Sequence, residues 1–154
     1  MKKLFLVSIV PLIMFSCGDV NENIEDVNES NTTIINQTVE NESNLNNKGV
    51  GPYADTTIDL NKDIDQALVS AGEKIYNLKC ITCHNMNSKL IGPPLSGILN
   101  RRSPEWVMNM ILTPEIMLKE DPDAIKLLKE YNEIPMLPLG ITDDEARQIL
   151  EFLR

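Results

Sequence analysis

Histidine is all but missing from this chain of 154 residues: there is one, His84. A zinc site built on its cysteines and that histidine therefore runs short of the four ligands such sites normally use. Basic charge is scarce too. Lysine and arginine number 14 against 23 aspartates and glutamates, and a formal net charge of −9 argues against nucleic acid as a partner. Long apolar runs are absent. The one at 4–15 is shorter than the about 20 residues that cross a bilayer comfortably. No hairpin signal and no apolar–polar alternation occurs, so a sheet fold is not expected. What is left is one modest all-α domain with appendages.

Against that background one stretch stands out: Cys80-Ile81-Thr82-Cys83-His84. Two thiols three positions apart, followed directly by a histidine, form the pattern of c-type haem attachment. The thiols can add to the two vinyl groups of one haem, and His84 is then delivered beneath the iron as proximal ligand. The competing readings are a redox dithiol and half a zinc site. The first wants a βαβ context, and no strand signal surrounds these residues. The second wants ligands that the chain does not supply.

The rest of the chain divides into three parts. Residues 1–17 read as a secretory signal: Lys2 and Lys3 form the charged start, and an apolar stretch follows. It ends in Met14-Phe15-Ser16-Cys17, which resembles a bacterial lipobox with methionine in the usual leucine position. Cys17 is therefore expected to be lipidated, which also accounts for the odd cysteine. Residues 18–60 are rich in Asn, Glu, Ser and Thr, with isolated apolar residues. They read as an acidic disordered tether that cannot bury enough surface to offset its ordering entropy. Residues 61–154 are the expected folded domain, with 14 acidic and 11 basic residues, a net of −3. Most of the net negative charge thus lies in the tether.

Within the domain a first helix is expected over 64–78 with Asp63 as N-cap. Leu68, Ala71, Gly72, Ile75 and Tyr76 share its apolar face. Two shorter helices open at Ser103-Pro104-Glu105 and at Asp121-Pro122. A last helix opens at Thr142-Asp143-Asp144-Glu145, a capping box, and carries Ala146, Ile149, Leu150, Phe152 and Leu153.

Together, the attachment motif after the first helix, Gly72 and Tyr76 on that helix, Ile149 and Phe152 on the last, and Gly92-Pro93-Pro94-Leu95 between them resemble class I, mitochondrial-type monohaem cytochromes c over residues 61–154. The resemblance implies a small all-helical fold wrapped around one covalent haem, with first and last helices crossing at the glycine–aromatic contact. It implies that the Pro93 carbonyl accepts from the proximal histidine. It implies a distal methionine ahead of the last helix, and Met136 in Ile134-Pro135-Met136-Leu137-Pro138 matches, although Leu137 stands where the family more often has proline. It also implies that Arg101, Arg102 or the Trp106 N–H meets a haem propionate.

His–Met ligation leaves no open position on the iron and suits outer-sphere electron transfer. The expected function is therefore a single-electron shuttle, not an enzyme, held by lipid on the outer side of a membrane. Its donor is expected to be a quinol-oxidising complex or a cytochrome, and its acceptor an oxidase or a reductase. The run Arg101–Trp106 with Asp121–Ala124 resembles cytochromes that accompany nitrous-oxide reduction. The alternatives are a five-coordinate haem enzyme or gas sensor, and a haem-free dithiol lipoprotein. Against the enzyme stands the lack of a second histidine for distal acid–base work.

Overall fold

The computed structural model describes residues 45–154. The expected signal peptide 1–17, its Cys17 and the 18–44 part of the expected tether lie outside the described residues. The helices bounded within 45–154 are α1 (Gln66–Ile75), α2 (Pro104–Leu112), α3 (Pro114–Glu120), α4 (Pro122–Glu130) and α5 (Asp143–Phe152). A π-turn (Tyr76–Cys80) continues α1, and a 3₁₀ turn (Ile98–Asn100) precedes α2. Among the described residues there is no strand. The expected all-α class is what the chain adopts.

The helix starts follow from side-chain chemistry. Ser103, Asp121 and Thr142 each cap a helix by accepting from the backbone N–H three positions on, and Pro stands first in α2 and α4. Glu145 completes the Thr142 capping box as expected. The first helix corrects the sequence reading. Its cap is Asp65, not Asp63, and its carboxylate accepts from the N–H groups of Ala67 and Leu68. The choice between the two aspartates is tertiary: the Asp65 N–H is itself held by Glu151 at 3.0 Å. Helix α3 was not anticipated. Thr113-Pro114-Glu115 repeats the opening pattern of α2, but seven residues are too few to show an apolar stripe.

Helices α1 and α5 cross with almost no space between their backbones. A Cβ on Gly72 would stand 2.1 Å from the carbonyl oxygen of Gln148. Only glycine allows that approach, so Gly72 is worth the roughly 1 kcal/mol it costs inside a helix. Next to the crossing, the Tyr76 and Phe152 rings lie 5.4 Å apart and tilted by 39°. Ala146, Ile149, Leu150 and Leu153 line the inner face of α5 against Trp106, Val107, Met108 and Met117.

The expected tether boundary at residue 60 is wrong, because residues from Asn47 onward are a strap laid over the helices. The Asn47 amide donates to Asp121 and Asp123, and its carbonyl accepts from Ser103. Val50 N–H donates to Met117 Sδ. The Asn109 amide spans the strap, donating to the Lys48 carbonyl and accepting from Tyr53 N–H, both at 2.9 Å. Ile58 N–H donates to Glu105 Oε1 at 2.6 Å. Asn109 and Glu105 are buried. The polar composition that looked like a solvated linker is thus satisfied by buried polar groups of α2 and α4, whose positions a sequence cannot show.

The chain's last turn closes the strap's other end. Arg154 donates to the Leu60 and Lys62 carbonyls and to buried Glu151. Arg147 makes an ion pair with Glu151 at 2.8 Å, though not a well-directed hydrogen bond. Burial pushes the Glu151 carboxyl up, but the Asp65 N–H and the two arginines more than offset that and hold it below the usual range.

Asn109→Leu keeps the branched shape and removes both strap bonds. It is expected to destabilise the domain by about 1–3 kcal/mol, lowering the Tm of the haem-loaded protein by several degrees in a calorimetric scan. An unchanged Tm would mean that the strap adds nothing to the fold.

Candidate functional site

The site grows out of the end of α1. The π-turn brings Ile81 N–H to the Tyr76 carbonyl, and His84 N–H then closes on Cys80 O at 2.9 Å. One extra residue in the helical turn is characteristic of functional sites. It sets Cys80 half-buried and Cys83 exposed, with both thiols free. Burial pushes the Cys80 thiol up despite the nearby Lys79 ammonium, and Cys83 adds to the rise. That is the reverse of the shift that activates a nucleophilic redox cysteine.

His84 is fixed from two directions. Its backbone carbonyl accepts from the Tyr76 hydroxyl at 2.9 Å, which ties the site to the α1–α5 crossing. Its Nδ1 lies 2.9 Å from the Pro93 carbonyl. A carbonyl can only accept, so Nδ1 carries the proton and the Nε2 lone pair is left to bind a metal. Gly92 packs flat beneath the ring, where a Cβ would meet His84 Cε1 at 2.4 Å. The segment around Pro93 is zipped to the attachment segment. Gly92 N–H donates to Cys83 O, Leu95 N–H to Asn85 O, and Ser96 N–H to Met86 O.

Met136 stands apart from the other described methionines. Met108 and Met117 are fully buried in the core, and Met86 and Met110 pack against it. Met136 belongs to neither set. Helix α4 ends at Glu130 with Tyr131 as its C-cap, and Asn132 and Glu133 take the left-handed conformation, φ 60° and 57°, to turn the chain into the proline-braced loop. Between Asn132 and Gly140, Met136 is the only side chain that is not exposed. The Lys79 ammonium reaches the Leu139 carbonyl at 3.4 Å and links this loop to the attachment turn.

The basic–aromatic cluster differs from expectation. Trp106 is buried, and its Nε1–H donates to buried Asp121 at 2.9 Å. That donor is already committed, so Trp106 is removed from the propionate candidates. Arg102 lies over the Trp106 ring, 5.1 Å from its centroid, and within 3.9 Å of Asp123. Arg101 donates to the carbonyls of Pro94 at 3.0 Å and Ser96 at 2.9 Å. The structure thus brings Cys80, Cys83, His84 and Pro93 into one unit. Trp106 belongs to the helix core, with Arg102 stacked upon it.

Among the described residues no group of three or more His, Cys, Asp or Glu gathers into a metal cage. The donor set suits a haem instead: two free thiols on one turn, one imidazole with its metal-binding nitrogen unencumbered, and a glycine that keeps the ring's flank clear. The surroundings suit it too. Leu78, Ile81, Ile91, Leu137 and Leu139, on the attachment segment and the methionine loop, are exposed apolar side chains.

The cytochrome c family profile matches residues 69–154. The chain belongs to the cytochrome c family. Cytochrome c-551 of Stutzerimonas stutzeri is 26% identical over 88 residues, 56% of this chain and 78% of that protein. The cytochrome c of Rhodothermus marinus has the same fold, with a TM-score of 0.63 and 35% identity, over 67% of this chain and 86% of that one. An engineered Rhodothermus marinus cytochrome c bound to a carbene intermediate matches at TM-score 0.60 and 36% identity, over 67% and 87% of the two chains. This cytochrome c is a class I monohaem protein with one covalent haem c, and its family role is haem-based electron transfer.

Gly92→Ala is expected to drive the His84 ring off the Pro93 carbonyl. Its signature is a high-spin fraction in the oxidised optical spectrum that the wild type lacks. A fully low-spin spectrum would show that the ring does not need this clearance.

Proposed function

We propose that this cytochrome is a membrane-tethered carrier of single electrons, with Cys80 and Cys83 holding the haem and His84 and Met136 as the two axial ligands. The observation that carries the proposal is the behaviour of the methionines. Four of the five among the described residues are absorbed by the core, and Met136 alone is turned inward from an otherwise exposed loop. Haem iron supplies a one-electron step between ferrous and ferric states, and thioether ligation favours the ferrous side relative to a second imidazole.

The chain's own part is to hold both ligands still. His84 is locked in orientation and tautomer by Pro93 and Tyr76. Met136 is braced by Pro135 and Pro138, whose restricted backbone lowers the entropy of keeping the ligand in place. A filled coordination sphere leaves no position for substrate, so the protein passes electrons and does not transform a molecule. The sequence supplies no second imidazole for acid–base work at an open iron.

The anchoring proposal rests on the lipobox-like ending at Cys17 and on the composition of the segment that follows it. Among the described residues no helix is long and apolar enough to cross a membrane. With the strap beginning near Asn47, the spacer over 18–46 is 29 residues long. A coil of that length would have a root-mean-square span of roughly 30 Å. Such reach would let the domain leave the lipid surface to meet a quinol-oxidising complex or cytochrome as donor, and an oxidase or reductase as acceptor. The likeness to cytochromes of nitrous-oxide reduction weakens as a guide to the acceptor. Within the two runs that carry it, Arg101–Trp106 and Asp121–Ala124, the residues Ser103, Trp106 and Asp121 are occupied in capping and core contacts.

Two measurements test these readings. The purified haem-loaded domain is expected to be low-spin in both oxidation states, with a weak long-wavelength iron–sulfur band that Met136→Ala abolishes. A wild-type spectrum that turns on carbon monoxide binding would replace the carrier with an open-site enzyme or sensor. In cells, Cys17→Ser is expected to move the protein from the detergent phase to the aqueous phase on partitioning. A wild type already in the aqueous phase would sink the anchor.

A further inference from the structure

The loop over 132–140, which carries Met136, is held chiefly at its two ends. None of its side chains belongs to the buried core or to the half-buried shell packed against it. At the entry, Glu133 N–H closes α4 on the Leu128 carbonyl at 2.9 Å, with Asn132 and Glu133 both left-handed. Asparagine tolerates that conformation, whereas a glutamate is strained in it. At the exit, Gly140 is left-handed too, φ 60°, and as a glycine it is unstrained there.

Two lysines grip those ends. Lys89, on the stretch between His84 and Pro93, donates to the Glu130 carbonyl at 3.2 Å and sets its ammonium 4.3 Å from the centre of the Tyr131 ring. Glu130 is the last residue of α4, where helix carbonyls lack partners and the helix carries its negative end, so a cation suits the place. Lys79, on the π-turn, donates to the Leu139 carbonyl at 3.4 Å. Among the described residues that is the one hydrogen bond reaching 135–140 from elsewhere in the chain. Both lysines come from the side that bears the cysteines and His84, and both carbonyls bound the methionine loop.

We propose that residues 132–140 form a hinged flap carrying Met136, sprung toward opening at Glu133 and held shut by Lys89 at its entry and Lys79 at its exit, so that the two lysines are positioning residues for the distal ligand. The inference deepens the electron-carrier reading and rests on it. An outside ligand reaches the iron only when the flap is open, so its apparent affinity scales with the open fraction. Weakening a clasp raises that fraction. Relieving strain held only in the shut flap lowers it. Glu133→Gln and Lys74→Gln make the same kinds of charge change without touching strain or clasp, since Lys74 is exposed on α1 and grips neither carbonyl.

The test is an optical titration of the ferric, full-length haem-loaded protein with imidazole, which is uncharged when it binds, following loss of the iron–sulfur band. A calorimetric scan of each variant accompanies it. Lys79→Gln and Lys89→Gln are each expected to bind imidazole about fivefold more tightly than the wild type, the size of one modest hydrogen bond. The double variant is expected to bind about 25-fold more tightly, because the clasps act at separate ends. Glu133→Gly is expected to bind about fivefold more weakly. Glu133→Gln, Lys74→Gln and Asn109→Leu are expected to match the wild type, the last despite its lower Tm. Lysine variants that bind no more tightly than Lys74→Gln would overturn the clasps. A Glu133→Gly variant that binds no more weakly than Glu133→Gln would overturn the spring. Equal tightening in Asn109→Leu would overturn both, since any loosening of the domain would then do. The carrier reading fails separately, through a wild type that lacks the iron–sulfur band before imidazole is added.

Discussion

An imidazole that must bind a metal through one nitrogen has to be told which nitrogen, and in this cytochrome the Pro93 carbonyl does the telling. Its 2.9 Å contact with His84 Nδ1 fixes the proton on that side and the ring plane with it. The neighbouring constraints serve the same bond. Gly92 must lack a side chain for the ring to lie where it does. The segment bearing Pro93 must be zipped to Cys83, Asn85 and Met86. Tyr76 must stand at the α1–α5 crossing to hold the His84 carbonyl, and that crossing exists only because Gly72 lets two backbones touch. The bond therefore joins the attachment motif to the packing of the whole domain.

The strap solves a second problem. A domain of this size buries little apolar surface, and this one also buries Glu105, Asn109, Asp121 and Glu151. Buried polar groups cost stability unless each finds a partner. The strap and the start of α1 bring such partners: Tyr53 and Lys48 for Asn109, Ile58 for Glu105, Asn47 for Asp121, and Asp65 for Glu151. The exchange is mutual, because those same groups satisfy the strap's backbone while its Val50, Tyr53, Ile58 and Leu60 pack against the core. A polar segment can thus be part of a fold when its hydrogen bonds are directional and their partners are buried.

That distinction marks what the sequence made legible. The attachment motif, the capping box at Thr142 and the Gly72–Tyr76 face could all be read because each is local, its meaning carried within a few neighbouring positions. The boundary at residue 60 and the Asp63 cap both miss, because the true boundary and cap depend on partners far along the chain. Asn47 meets Asp121, and Asp65 meets Glu151, only after folding. Composition reports how polar a segment is. It does not report whether its partners are water or protein.

The same reasoning explains the split fate of the middle cluster. Arg101, Arg102 and Trp106 sit within six positions and look like one basic–aromatic feature. The fold sends them to three tasks: Arg101 and Arg102 follow the 3₁₀ turn over Ile98–Asn100, and Trp106 lies inside α2. Trp106 points into the core, where its N–H needs Asp121. Arg102 covers the ring it faces and meets Asp123. Arg101, the exposed one, turns back onto the chain before it and meets carbonyls instead of acids. An arginine on carbonyls gains hydrogen bonds while keeping its charge uncompensated. That charge remains part of the field around the Pro93 segment, while its hydrogen bonds hold the backbone there.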